Sequence, residues 1–161
     1  MNRRPSLILL CGLPGSGKTT VAKQLATSVP AVRLCPDEWI TDLEADLWDE
    51  QFRNRLESRF WGLAQELLTL RQNVILESGF WLRSDRDEKR MGAQALDATV
   101  ELVVLDVPLD ELARRTESRF MGGQRGTVAI TREQLEDMAP FFDLPGEAEM
   151  ALFDRSEMRH G

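Results

Sequence analysis

Ser6-Leu7-Ile8-Leu9-Leu10-Cys11-Gly12-Leu13-Pro14-Gly15-Ser16-Gly17-Lys18-Thr19 runs from a short apolar stretch into a glycine-rich octet. The octet satisfies G-x-x-x-x-G-K-[ST], the pattern of a phosphate-binding loop. Its context fits, with a strand-like run before it and helix-forming Thr20-Val21-Ala22-Lys23-Gln24-Leu25-Ala26 after it. A glycine turn lets consecutive backbone N–H groups converge on one anion, because no Cβ stands in the way. The following helix adds its positive N-terminal end. On this reading Gly12, Pro14, Gly15, Ser16 and Gly17 shape the cradle, with Thr20 at its helical edge. Lys18 brings a mobile charge to the β- and γ-phosphates, and the Thr19 hydroxyl is placed to ligate Mg²⁺. The expected ligand is a nucleoside triphosphate.

Outward from this loop, short apolar runs alternate with helical stretches. Ala31-Val32-Arg33-Leu34-Cys35 reads as a second strand stopped by Pro36, with a helix from about Glu38 carrying Trp39, Ile40, Leu43 and Leu47. The longest helix starts near Asp49, where Phe52, Leu56, Phe60, Leu63, Leu67 and Leu70 form one apolar stripe opposite a charged face. Asn73 to Glu77 is the third strand, a charged helix spans Ser84 to about Leu96, and Val100 to Val107 is the fourth strand. Pro108 then opens a helix from Leu109 to about Phe120, followed by a glycine-bearing loop, Met121 to Gly126. Thr131 caps a helix reaching Ala139, and Glu149 to Asp154 is the expected fifth strand. Such alternation argues for an α/β fold, one domain over 1–161, with a mostly parallel sheet covered on both faces. Ligands then bind beyond the carboxyl ends of the strands.

Composition narrows the function. The chain has 161 residues, a formal net charge of −7 and only three lysines, Lys18, Lys23 and Lys89. An acidic balance argues against generic nucleic-acid binding, which neutralises phosphates with Lys and Arg. No run approaches the roughly 20 apolar residues of a membrane span, and a cleavable leader would remove the loop itself, so the expected location is cytoplasmic. Cys11 and Cys35 read as buried apolar residues rather than metal ligands or a disulfide, and the lone histidine, His160, falls in a polar tail.

The residues after each strand carry the candidate chemistry. Asp37 follows the second strand and is placed either to accept the proton of an attacking hydroxyl or to cap the next helix, two compatible roles. Glu77 closes the third strand, where a carboxylate reaches the magnesium shell or the substrate, and Phe80 and Trp81 would make an apolar wall beside it. Arg114, Arg115 and Arg119, with Arg125 in the loop beyond, suit a lid that swings over a triphosphate. They equally suit a solvated face pairing Arg115 with Glu111 and Arg114 with Asp110. Trp39 is the aromatic residue expected in a substrate pocket, and Arg83, Arg86 and Arg90 are placed to hold an anionic group there or merely to solvate a helix.

Taken together, the phosphate loop, Asp37-Glu38, Val74-Ile75-Leu76-Glu77 and the Arg115/Arg119 pair resemble the small P-loop phosphotransferases often labelled AAA-domain ATP-binding proteins. That group is similar to chloramphenicol phosphotransferase, polynucleotide 5′-kinases, gluconate and shikimate kinases and zeta toxins. The resemblance implies a three-layer α/β/α P-loop NTPase with a five-stranded parallel sheet in the order 2-3-1-4-5 and a small helical lid at about 115–130. It implies ATP and Mg²⁺, Asp37 as general base, Arg119 as lid arginine, and γ-phosphoryl transfer to a hydroxyl. Glu77 departs from the commoner Asp, and the segment from Trp39 to Phe60 matches no named kinase motif. A small-molecule kinase is the first expectation; a polynucleotide 5′-kinase and a nucleotide-dependent switch or toxin-like ATPase are the alternatives. Adenine contacts are expected from the lid helix and the segment after Leu152.

Overall fold

A computed structural model describes residues 3–124 and 127–161. Strand β1 (Ser6–Cys11) leads through the glycine loop into α1 (Lys18–Ser28), then β2 (Ala31–Leu34), α2 (Pro36–Asp42) and α3 (Glu50–Thr69). Next come β3 (Asn73–Gly79), α4 (Arg83–Ala95), β4 (Thr99–Asp106) and α5 (Leu109–Met121). The chain closes with α6 (Arg132–Met138), a 3-10 turn (Ala139–Phe141), the one-turn α7 (Glu147–Met150) and β5 (Arg155–His160). The strands form one all-parallel sheet in the order β2-β3-β1-β4-β5. This is the P-loop NTPase arrangement that the resemblance implies.

Strand alternation sorts the core into layers. Leu7, Leu9 and Cys11 join Phe60, Ala64 and Leu68 of α3 and Ala93 of α4 on one face. Ile8 and Leu10 meet Val21 and Ala22 of α1 on the other. β1 is buried on both faces, which is why it is apolar throughout. A bulge interrupts its pairing with β3, since Leu9 lies opposite Leu76 but Cys11 lies opposite Gly79. The extra residue falls at Glu77–Ser78, beside the phosphate loop, where bulges commonly re-aim side chains. Among the described residues, no helix is long and apolar enough to cross a membrane.

Several boundaries differ from the sequence reading. Pro36 not only ends β2 but opens α2 at its first turn, where its fixed φ and missing N–H are at no disadvantage. That helix ends at Asp42, and Glu44 takes a left-handed φ of 56°, so Leu43 and Leu47 belong to the connection rather than the helix. β3 runs on to Gly79, which puts Glu77 inside the strand rather than at its end. The fifth strand is Arg155–His160, not Glu149 to Asp154; the latter stretch holds the end of α7 and a turn. β5 pairs only with β4, and such an edge strand can be polar where a central one cannot. His160 is therefore not a loose tail residue but lies opposite Asp106, with its Nδ1 3.5 Å from Oδ2. On α5, Arg114 pairs with Glu111 rather than Asp110, which Arg132 of α6 takes instead.

Candidate functional site

The phosphate loop holds its shape through glycine. Gly15 and Gly17 adopt φ of 84° and 98°. A Cβ on Gly15 would come within 2.8 Å of Thr116 Cγ2 and 3.0 Å of the Leu112 carbonyl, so α5 packs directly on the loop. The Gly12 amide donates to the Gly79 carbonyl at 3.0 Å, tying the loop to the β3 rim, and Trp81 Nε1 donates to the Gly12 carbonyl at 3.1 Å. Lys18 folds back on the loop, its Nζ donating to the Gly12 and Leu13 carbonyls at 3.0 Å each. Burial pulls the Lys18 ammonium below its ordinary range, and the neighbouring Asp37 charge opposes that pull.

Two buried polar atoms near the loop, Ser16 Oγ and Arg119 Nε, have no hydrogen-bond partner among the described residues. Burial likewise disfavours the Arg119 charge, with Asp37 favouring it and Arg115 adding to the repulsion. A bound polyanion would meet these unfilled donors and relieve both cations. Arg115 reaches the loop as well, donating from Nη1 to the Ser16 carbonyl at 3.4 Å while Nε is held by Glu111 at 2.8 Å. Arg115 thus makes the expected pair with Glu111 and also touches the phosphate loop. Arg125 lies outside the described residues.

Thr19 donates its hydroxyl to Glu77 Oε1 at 2.8 Å. Arg33 Nε donates to the other carboxylate oxygen at 2.9 Å, and its Nη2 pairs with Glu38. The Glu77 side chain is buried, and burial raises its carboxyl while Arg33 and the Thr19 hydrogen bond pull it back. A hydroxyl and a carboxylate oxygen side by side are hard donors of the kind Mg²⁺ takes, with phosphates and water completing its shell. Among the described residues, no group of three or more His, Cys, Asp or Glu could hold a metal ion alone. The donor set therefore fits a metal that arrives with a nucleotide.

Asp37 does not cap α2. Its carboxylate instead accepts from Arg53 Nη2 at 2.6 Å, and it stays half-exposed in a cavity of about 700 Å³. Its lining includes Lys18, Thr19 and Arg119 at the loop, Trp81, whose indole is bonded to the loop, and Trp48, Glu57, Trp61 and Asp85 from the α2–α3 connection, α3 and α4. Glu77 and Phe80 also line it. Trp39 and Arg83 do not. Trp39 packs edge-on against Phe60, ring centres 5.0 Å apart, and Arg83 faces Asp87 and Glu149. Arg86 and Arg90 are engaged too, Arg86 by Glu149 and Arg90 by Asp87. A second cleft, of about 630 Å³, shares Gly15, Gly17, Thr19 and Arg119 and adds Thr20, Arg114, Arg115, Ser118, Arg159 and His160.

Sequence reasoning missed Glu57 and Asp85. Glu57 lies one turn before Trp61 on α3, and a tryptophan amid charges was the available signal. Trp61 also needs Gly92 of α4, where a Cβ would come within 2.6 Å of its ring.

The fold has well-matched relatives among solved structures. A protein from Chloroflexus aurantiacus described as a candidate kinase is 23% identical, with a TM-score of 0.75 over 98% of this chain and 89% of its own. A chain of the Pnkp1/Rnl/Hen1 RNA repair complex is 24% identical, with a TM-score of 0.71 over 96% of this chain and 48% of its own. A gluconokinase from Sinorhizobium meliloti is 19% identical, with a TM-score of 0.61 over 98% and 83%. A search of curated protein sequences gives no match. The sequence profile described as AAA domain matches residues 7–145, from within β1 to beyond α6, and takes in the loop, Asp37, Glu77 and Arg119. With its phosphate loop and sheet order, the chain belongs to the AAA domain family of P-loop nucleotide-binding proteins.

Proposed function

We propose that the protein is an ATP- and Mg²⁺-dependent phosphotransferase acting on a hydroxyl of a small molecule. The observation that carries this reading is the cavity of about 700 Å³, which brings Lys18, Thr19 and Asp37 into one space with Trp48, Trp61 and Trp81. A switch that positions only a water has no use for such room.

In the proposed reaction the acceptor oxygen attacks the γ-phosphorus, its proton passes to an Asp37 carboxylate oxygen, and the bond to the β–γ bridging oxygen breaks. Arg53 holds Asp37 in orientation. Lys18 and Arg119 neutralise charge on the transferring group, and α5 with the segment after it acts as the lid that excludes water. Mg²⁺ between Thr19, Glu77 and the phosphates would offset charge on the departing diphosphate. The second cleft, between α5 and the end of β5, is where the adenine and ribose are expected.

The test is ATP consumption against a pooled panel of hydroxyl-bearing metabolites and antibiotics, with product identified by mass. Asp37→Asn should lower transfer by about 10²–10⁴-fold while ATP-analogue affinity changes little. Wild-type turnover by that variant removes Asp37 as the base. A polynucleotide 5′-kinase is the reading to which the RNA repair likeness points, and 5′-hydroxyl oligonucleotides belong in the panel for that reason.

A further inference from the structure

The acceptor end of the cavity holds more negative charge than its own cations neutralise. Glu50, Arg53, Asn54, Glu57, Ser58 and Trp61 follow at three- and four-residue steps along α3, so one helix face lines the chamber. Asp85, Glu88 and Lys89 answer from α4. Both cations on these walls are already engaged. Arg53 donates to Asp37 and to the Leu47 carbonyl, and Lys89 lies 3.5 Å from Glu88 with its ammonium 5.3 Å from the centre of the Trp61 ring.

Glu57 has no such partner. Its carboxylate makes no hydrogen bond or ion pair under 4.0 Å among the described residues, and neither does that of Asp85. Most of Glu57 is out of water, and burial, helped by repulsion from Asp85 and Asp37, carries its carboxyl up to about 7 against the pull of Arg53 and Lys89. A carboxylate shielded from water without a counter-ion is stabilised by any cation that can reach it. Trp48, Trp61 and Trp81 line the same cavity, and indole rings attract ammonium groups, as Lys89 over Trp61 already shows. The arginines that could have received an anionic acceptor, Arg83, Arg86 and Arg90, are turned to Asp87 and Glu149 and line neither cavity.

Resting on the phosphotransferase reading above, we propose that the acceptor is an alcohol that also carries a protonated amine, its ammonium seated between Glu57 and the tryptophan walls and its hydroxyl directed to Asp37.

Tryptophan fluorescence reads binding without requiring transfer. Glucosamine is titrated against N-acetylglucosamine, and phenylethanolamine against its N-acetyl derivative, near neutral pH with an ATP analogue present. Each amine should bind at least about tenfold more tightly than its neutral partner, and Glu57→Gln should erase that preference. Neutral partners that bind as well as the amines overturn the proposal, as does the lack of saturable amine binding at millimolar concentration. A melting curve checks that the variant folds; if it does not, the matched pairs on the unaltered protein decide alone. Mass analysis with ATP in place of the analogue separates the two readings. Amine preference without phosphorylated product leaves the ammonium subsite standing and removes the phosphotransferase, whereas phosphorylation of the neutral partners alone does the reverse.

Discussion

Glu57 lies mostly out of water within electrostatic reach of Arg53, Asp37, Asp85 and Lys89, and burial carries its carboxyl from the ordinary 4.5 up to about 7. The folded chain therefore holds a proton there more tightly than the unfolded chain does. By linkage, stability falls as pH rises between those two values, and the full penalty is present above the upper one. Water at the cavity mouth screens part of it, leaving about 1–2 kcal/mol. Glu57→Gln should consequently raise the melting temperature by about 3–6 °C at pH 8 and by much less at pH 5. An equal gain at both pH values in a thermal melt would show that the carboxylate carries no such strain. The carboxylate should thus weaken the free protein above the upper value.

Arg86 acts at the scale of elements. It is fully buried and joins three of them: Nε and Nη2 grip Glu149 of α7 at 2.6 and 2.9 Å, and Nη1 donates to the Phe80 and Trp81 carbonyls just beyond β3. Arg86→Met leaves the buried Glu149 carboxylate without its two-pronged partner, and should cost about 3–5 kcal/mol in denaturant unfolding. Adding Glu149→Leu should restore much of that loss, because the second change removes the unpaired charge; additive losses in the double variant would refute this account. The same elements explain what could be read in advance. β1, the loop and α1 were legible because each residue there answers to one demand, apolar burial or phosphate approach. Glu149 misled because the apolar Met150-Ala151-Leu152-Phe153 after it reads as a strand, when its acid is held in place chiefly by Arg86, 63 residues away. The α3 wall stayed hidden because a face lining a wet cavity carries the same charged residues as one facing solvent. Trp39 lies in α2 and Trp48 in the connection before α3, and the second, not the first, lines the cavity.

Across the whole molecule, the sheet order decides when the site can exist. β1 carries the phosphate loop at its end, yet its neighbours are β3 and β4, and β2, the next strand in sequence, pairs with β3 instead. Leu7 pairs with Val74 on one side and Val100 on the other. A nascent chain emerging from the ribosome therefore presents its most apolar strand first and has nothing to pair it with until β3 has cleared the exit. Non-local pairing of this kind slows folding and lengthens exposure of sticky surface. Ribosome-bound chains stalled before β3 should be digested readily by protease, and resistance of the N-terminal segment should appear only once β4 has emerged; protection at shorter lengths would contradict this order. The segment that carries the phosphate loop is thus translated before both strands that must pair with it, so its folding waits on chain that has yet to be made.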